Sequence, residues 1–370
     1  MNARERFVNS MTFRPVDRCF LKPDTFSPLA IKRWEKEGLP AGCDPNVYFG
    51  MDPREFVRVN MECCPGLPEQ ILEDDGEYVV KTNSDGITLK QRKDDPLCAM
   101  PHFIGWPVNT REDFERLREQ YQPRIAERYP RDYEQKKDFR NNRCEAPVAY
   151  EFRGMFFHRL RMWMGLEGLA MAMYDDPDWI HEMVAFLEEF LTAVSAKVLA
   201  EMKLSYVYAC DDIAYKTSSL ISPASFHKFF FEPVRRMVDL VRRAGVPVIV
   251  MDSDGNLDEF AEIYRQTGFN AICPIEVAAG NDLLAMRARL GKSMALQGGF
   301  DKRVLTKGKE AIRREVMRLY PRMMFEGGFT PGIDHAVPED VPFENYAYYM
   351  ELTKQVAADP ARYLSKQGSP

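Results

Sequence analysis

Five apolar segments in the C-terminal half of the chain each run straight into an acid or a histidine. YVYAC precedes Asp211-Asp212, VPVIVM precedes Asp252-Ser253-Asp254, AICPI precedes Glu276, MALQGGF precedes Asp301, and FTPGI precedes Asp334-His335. Continuous apolar runs mark strands buried on both faces, as in a parallel sheet. Stretches with helical spacing, such as PASFHKFFFEPVRRMVDLVRRAG and DLLAMRARLG, lie between them. Strands alternating with helices imply parallel pairing, and many such units imply a (β/α)8 TIM barrel. That architecture gathers the C-terminal ends of its strands at one face, where catalytic groups sit. Polar residues scattered over more than a hundred positions are therefore expected to share one cavity.

The 370 residues suit a single barrel domain, 1–370, with extra structure. VDRCFL, after Pro15, reads as the first barrel strand, and TFSPLAIKRWEKEGLP as the helix after it. Residues 41–145 lose the strand–helix rhythm and are rich in Pro, Asp and Cys. Within them EYVVKTNSDGITLKQR reads as a hairpin with Asp85-Gly86 in its turn. The whole stretch is expected to be an N-terminal insertion that caps the C-terminal face of the barrel, not an independent domain. Alternation resumes at APVAYEFRG. FFHRLRMWMGLEGLAMAMYDD and PDWIHEMVAFLEEFLTAVSAKVLAEM then read as two helices divided at Asp176-Pro177.

A net charge of −6 gives no electrostatic footprint for nucleic acid or an anionic membrane. No apolar run approaches a membrane span, and the charged start MNARERFVNSMTFRPVDR has no signal-like apolar region, so a cytoplasmic location is expected. The eight cysteines, Cys98 among them, form no C-x-x-C pair and read as reduced thiols. A nicotinamide G-x-G-x-x-G after a strand, a P-loop, G-x-S-x-G and H-E-x-x-H are all missing. For the oligomeric state a homodimer, the commonest homo-oligomer, is the default.

Asp252 and Asp254 stand at i and i+2 at a strand end. They could ligate a metal, orient a substrate amine or act as a base, or Asp254 could simply cap the next helix. Glu276 is awkward at a strand end unless it meets a polar cavity. His335 follows a strand, and Asp334 either orients it or caps a turn. Of the adjacent Asp211 and Asp212, at most one enters the cavity, because neighbouring side chains diverge. Tyr215 and Lys216 lie within reach of the same mouth. Asp301 contacts substrate or else pairs with Lys302 or Arg303. Arg153, Arg159 and Arg161 flank GMFFHRLRMWMG, where one could hold an acidic group.

These residues resemble the uroporphyrinogen decarboxylase-like superfamily of (β/α)8 barrels, which includes corrinoid (cobalamin)-dependent methyltransferases. RERFVNSMTFRPVDR, DDIAYKTSSLISPASFHKFFFEP, MDSDGN, GGFDKR and DHAVPEDVPFENY carry the likeness. Uroporphyrinogen decarboxylases hold their polycarboxylate substrate with an R-Q-A-G-R stretch after the first strand; here that place reads FLKPDTFSPLAIKRW. The related methyltransferases bind zinc through H-x-C and a later Cys. Asp252-x-Asp254 and the neighbourhood of His335 take those places, so the soft thiolates are gone.

The resemblance implies a methyltransferase moving a methyl group from a small O-methyl or N-methyl substrate to a Co(I) corrinoid on a partner protein. Asp254, Glu276, His335 and Asp212 would be catalytic. Asp252, Tyr215, Arg153 and Asp301 would bind substrate. Asp252, Asp254, Glu276 and His335 would hold zinc or another divalent metal. The alternatives are a decarboxylase of a smaller acid, using Arg153 or Arg161, and a non-catalytic barrel binding a tetrapyrrole or corrinoid.

Overall fold

The computed structural model describes residues 1–94 and 101–364. Cys98 lies outside these residues, as does part of the expected insertion. Helix α1 (Ala3–Met11) opens the chain, its first turn fixed by a capping box between Asn2 and Glu5. Strand β1 (Glu55–Val57) follows, then β2 (Gln70–Asp74), β3 (Tyr78–Thr82), β4 (Thr88–Arg92) and β5 (His102–Gly105). After these come β6 (Val148–Phe152), β7 (Tyr206–Cys210), β8 (Val248–Asp252), β9 (Ala271–Cys273), β10 (Ala295–Gln297) and β11 (Phe329–Thr330).

Strand β1 and strands β6 to β11 form one seven-stranded sheet in the order β1-β6-β7-β8-β9-β10-β11, parallel throughout. Strands β2 to β5 make a separate antiparallel sheet. The expected hairpin is its β3–β4 pair, with Gly86 at φ +79° and the Asn83 side chain accepting from Asp85 N and Ile87 N.

The protein is a (β/α)8 barrel whose eighth stave is residues 19–22. Here the sequence expectation needs two corrections. VDRCFL does not form a ladder strand, and the first laddered strand, β1, lies inside the stretch read as insertion. The reason is Asp52. Its backbone N–H donates to Leu21 O, but its carboxylate takes the next slot, accepting from Leu21 N at 2.8 Å. Both Arg18 terminal nitrogens, at 2.7 Å, and Arg6 Nη1, at 3.0 Å, donate to the same buried carboxylate. A side chain thus joins the seam where a ladder would run. On the other side Cys19 Sγ donates to Phe329 O, and Phe26 bridges Val337 in parallel.

Inward-facing residues from these strands pack together. Phe20, Ala149, Tyr206, Val248, Val250, Ala271, Cys273 and Ala295 form one inner cluster, closed at the N-terminal end by Ala3, Phe7 and Met11 of α1. Those three recur at i, i+4 and i+8 on one helical face. Outside the sheet, the helix Pro177–Glu201 buries Ile180, Met183, Val184, Leu187, Leu191, Val194 and Val198 at the same periodicity. The helix Phe156–Asp175 breaks at Gly165 (φ +72°), where an added Cβ would stand 2.7 Å from the Trp106 ring. That gap seats the residue after β5 and brings the antiparallel sheet against the barrel. Among the described residues no helix is long and apolar enough to cross a membrane.

The Asp52 knot yields a stability prediction. Asp52→Ala leaves Arg6, Arg18 and Leu21 N without their acceptor in a buried site, at a cost of ~3–5 kcal/mol. Urea unfolding should show that loss, while Arg18→Met, at the more exposed partner, loses less.

Candidate active site at the barrel mouth

Side chains two apart on a strand share a face, so register alone builds the first layer of the site. Cys210 pairs with Asp252 across β7–β8, and Asp252 with Cys273 across β8–β9. Tyr206 and Tyr208 precede Cys210 on the same face, and Val248 and Val250 precede Asp252. Asp212 and Asp254 continue the two rows beyond the strand ends. Asp212 does so from a positive φ of 35°.

Two adjoining cavities open here and share Asp254. The first, about 270 Å³, lies on the barrel axis and is lined by Lys22, Arg54, Tyr208, Asp252, Cys273, Gln297 and His335, among others. The second, about 560 Å³, is more apolar. Phe103 and Trp106 from the capping sheet, Met162, Leu166, Ala214 and Tyr215 wall it, with Asp212, Glu276, Arg161 and Lys216 at its polar margin.

The acids of the mouth are in different states. Burial, and then the neighbouring Asp254, push the Asp252 carboxyl up to about 7, against the opposing Tyr208 hydrogen bond. Asp254 Oδ2 lies 3.4 Å from His335 Nε2, and that contact raises the imidazole above its ordinary value. Burial alone would raise Asp212, but His158 and Arg161, 3.5 and 3.6 Å away, outweigh it and hold it low. Glu276 accepts from Gly255 N at 3.1 Å. Gly255, at φ +87°, passes so close to Ala214 that a Cβ would meet its carbonyl carbon at 2.6 Å.

Asp254, Asp252 and His335 therefore meet on the axis, while Asp212, Glu276 and Tyr215 face the second cavity. Other candidates fall elsewhere. Asp301 lines neither cavity and accepts three hydrogen bonds from Arg303. Arg153 lines a third cavity with Glu62, Asp85, His158 and Arg159. Asp211 is fully buried behind β7, where its carboxylate accepts from His158 N, and burial drives it to about 7. Asp334 caps two loops, accepting from Val277 N and Lys302 N at 3.0 Å.

The four residues expected to hold a metal, Asp252, Asp254, Glu276 and His335, do not fit one. No three of them bring ligand atoms within 4.8 Å of one another; among the described residues the group that does so is His158, Cys210 and Asp212. Lys22 and Arg54, the cations of the axial cavity, were missed. Lys22 had a signal: it ends the apolar pair Phe20-Leu21 just as the acids end their strands. Arg54 had none, because it sits in a stretch without strand rhythm.

A parallel barrel with acids, a histidine and two cations at its C-terminal mouth is the layout of a (β/α)8 enzyme superfamily. The chain belongs to the uroporphyrinogen decarboxylase (URO-D) family, whose profile matches residues 101–356. It is 30% identical over 149 residues to uroporphyrinogen decarboxylase of Thermus thermophilus, covering 37% of this chain and 39% of that one. Against the Pseudomonas syringae enzyme it is 26% identical over 194 residues, covering 50% and 51%. The matches thus span about two fifths to one half of these relatives. A methyltransferase from Methanosarcina mazei shares the fold over 96% of this chain and 99% of its own, with a TM-score of 0.55 and 14% identity.

The Asp252 shift sets a pH dependence. Its folded value, about 7, exceeds the ordinary 3.8, so between these the folded chain retains a proton that the unfolded chain has lost. This group's effect on stability therefore becomes more unfavourable as pH rises through that window and is constant above it. In thermal melts, Asp252→Asn should gain stability relative to the parent at about pH 8 compared with about pH 5. Equal differences at both would refute the assignment.

Proposed function

We propose that the protein is a methyltransferase that takes a methyl group from a small O-methyl or N-methyl compound. The methyl acceptor, a second substrate, is a Co(I) corrinoid carried by a partner protein. One observation carries this reading: Asp252, a carboxyl about half protonated at pH 7, lines the axial cavity, which shares Asp254 with an aromatic-walled cavity large enough for the body of a small ring compound. The substrate body lies against Phe103, Trp106 and Leu166, with its heteroatom toward the axis. As Co(I) attacks the methyl carbon, the carbon–heteroatom bond breaks and its electron pair stays on the heteroatom. Asp252 gives its proton to that atom and regains one from solvent. Asp254, 3.4 Å from His335, lies beside it, and its charge favours the protonated form of Asp252.

Lys22 and Arg54 favour a second reading, decarboxylation of a small acid, since two cations on the axial cavity suit a carboxylate. The cations expected for that role, Arg153 and Arg161, line the other cavities.

Mixing the protein with a Co(I) corrinoid protein and a panel of methoxyaromatics and methylamines separates the two. Methyl transfer predicts conversion of the Co(I) spectrum to that of methyl-Co(III), falling as pH rises through about 7. Asp252→Asn should slow it ~10²–10⁴-fold, the usual worth of a general acid. No spectral change across the panel, with CO2 released from small acids and abolished by Lys22→Met, would establish the second reading instead.

A further inference from the structure

We infer that His158, Cys210 and Asp212 form a divalent metal site, best suited to zinc, at the end of β7. The site differs from the one that the family resemblance points to on β8, where the ligand atoms do not converge. Cys210 and Asp212 are i and i+2 at one strand end and share a face. His158 comes from the first turn of the neighbouring helix, Phe156–Asp175. One donor atom from each lies within 4.8 Å of the others.

His158 Nδ1 and Asp212 Oδ2 are 3.5 Å apart. Zinc bonds of 2.0–2.2 Å to nitrogen and oxygen place two tetrahedral donors ~3.4 Å apart. A thiolate, an imidazole and a carboxylate are also a donor set that zinc accepts.

Independent features hold the histidine ready. Gly154, at φ +105°, lies so close under the ring that a Cβ would stand 2.7 Å from His158 Cδ2. The buried Asp211 carboxylate fixes the backbone of His158 through its N–H. Burial first, and then Asp212, Asp252, Asp211 and Asp254, push the Cys210 thiol well above its ordinary value, and a bound cation would offset those acids. One cation would have to move: Arg161 Nη2 lies 3.5 Å from Nδ1 and 3.6 Å from Oδ2. It lines the second cavity and also donates from Nη1 to Asp212 O at 3.2 Å, a bond that would have to open.

Three protein ligands would leave a fourth position free for water or substrate, and Asp212 also borders the aromatic-walled cavity. This is the open arrangement of catalytic zinc sites. Binding would convert the Cys210 thiol to thiolate and release its proton to solvent.

The test needs no substrate, so its failure is distinct from failure of the methyl-transfer reading. The full-length protein, purified without chelator, is analysed for zinc, then stripped and titrated with Co(II). We expect near-equivalent zinc and a near-ultraviolet sulfur-to-cobalt charge-transfer band. Cys210→Ser should abolish the band, and His158→Ala should weaken Co(II) binding by more than the ~10–100-fold that loss of an outer support costs. Asp252→Asn should retain both the bound metal and the sulfur band. Thermal melts of each variant report folding, and either of the two ligand variants suffices if the other is unfolded. No tight metal, a bound metal without the sulfur band, or loss of metal in Asp252→Asn but not in Cys210→Ser would overturn the site.

Discussion

Asp52 holds together three segments that no backbone ladder joins. Its carboxylate receives Arg6 from α1, Arg18 just before the stave 19–22 and Leu21 N within it, and it stands just before β1. A buried carboxylate is costly unless its acceptor sites are filled, and here they are. The contribution is therefore one of registry rather than of gross stability. The knot sets where Phe20 enters the inner cluster and so where the following Lys22 emerges at the mouth. Arg54, two residues past Asp52, lines the same cavity. The charge balance of the axial cavity thus rests on a junction that has no acid of the active mouth in it.

Four carboxylates meet at the mouth and a fifth, Asp211, lies buried behind β7. Asp252 keeps its proton because burial and Asp254 both disfavour the anion. Asp254 has His335, Asp212 has His158 and Arg161, and Glu276 has Gly255 N. Asp211 turns away from the mouth altogether. Like charges pressed together separate into protonated and ionised members. In the proposed reaction the raised Asp252 carboxyl would be the acid that protonates the leaving heteroatom.

The capping sheet supplies what the barrel strands cannot. Strand ends present polar groups around an axis but little apolar wall. Phe103 and Trp106 provide that wall, and the break at Gly165 lets Trp106 seat against the barrel. A substrate body would therefore be held by one layer and its reacting atom by the other.

Much of this was legible in the chain itself. Apolar runs ending in acids gave β7 to β11 and their common face, and period-two alternation placed Asp252 and Asp254 on the same side. The hairpin at Asp85-Gly86 and the helical spacing of Pro177–Glu201 were equally local, since turn chemistry and side-chain periodicity need only neighbours along the chain. Other features depended on distant partners. The missing ladder of VDRCFL came from a side chain some thirty residues away. Cys210 read as one more apolar strand residue until His158 and Asp212 were folded against it. Asp301 looked like its fellow strand-end acids but was taken by Arg303. Local pattern determined which face each residue would join; only closure of the barrel decided which residues would touch, because distances across a ring depend on every stave between them.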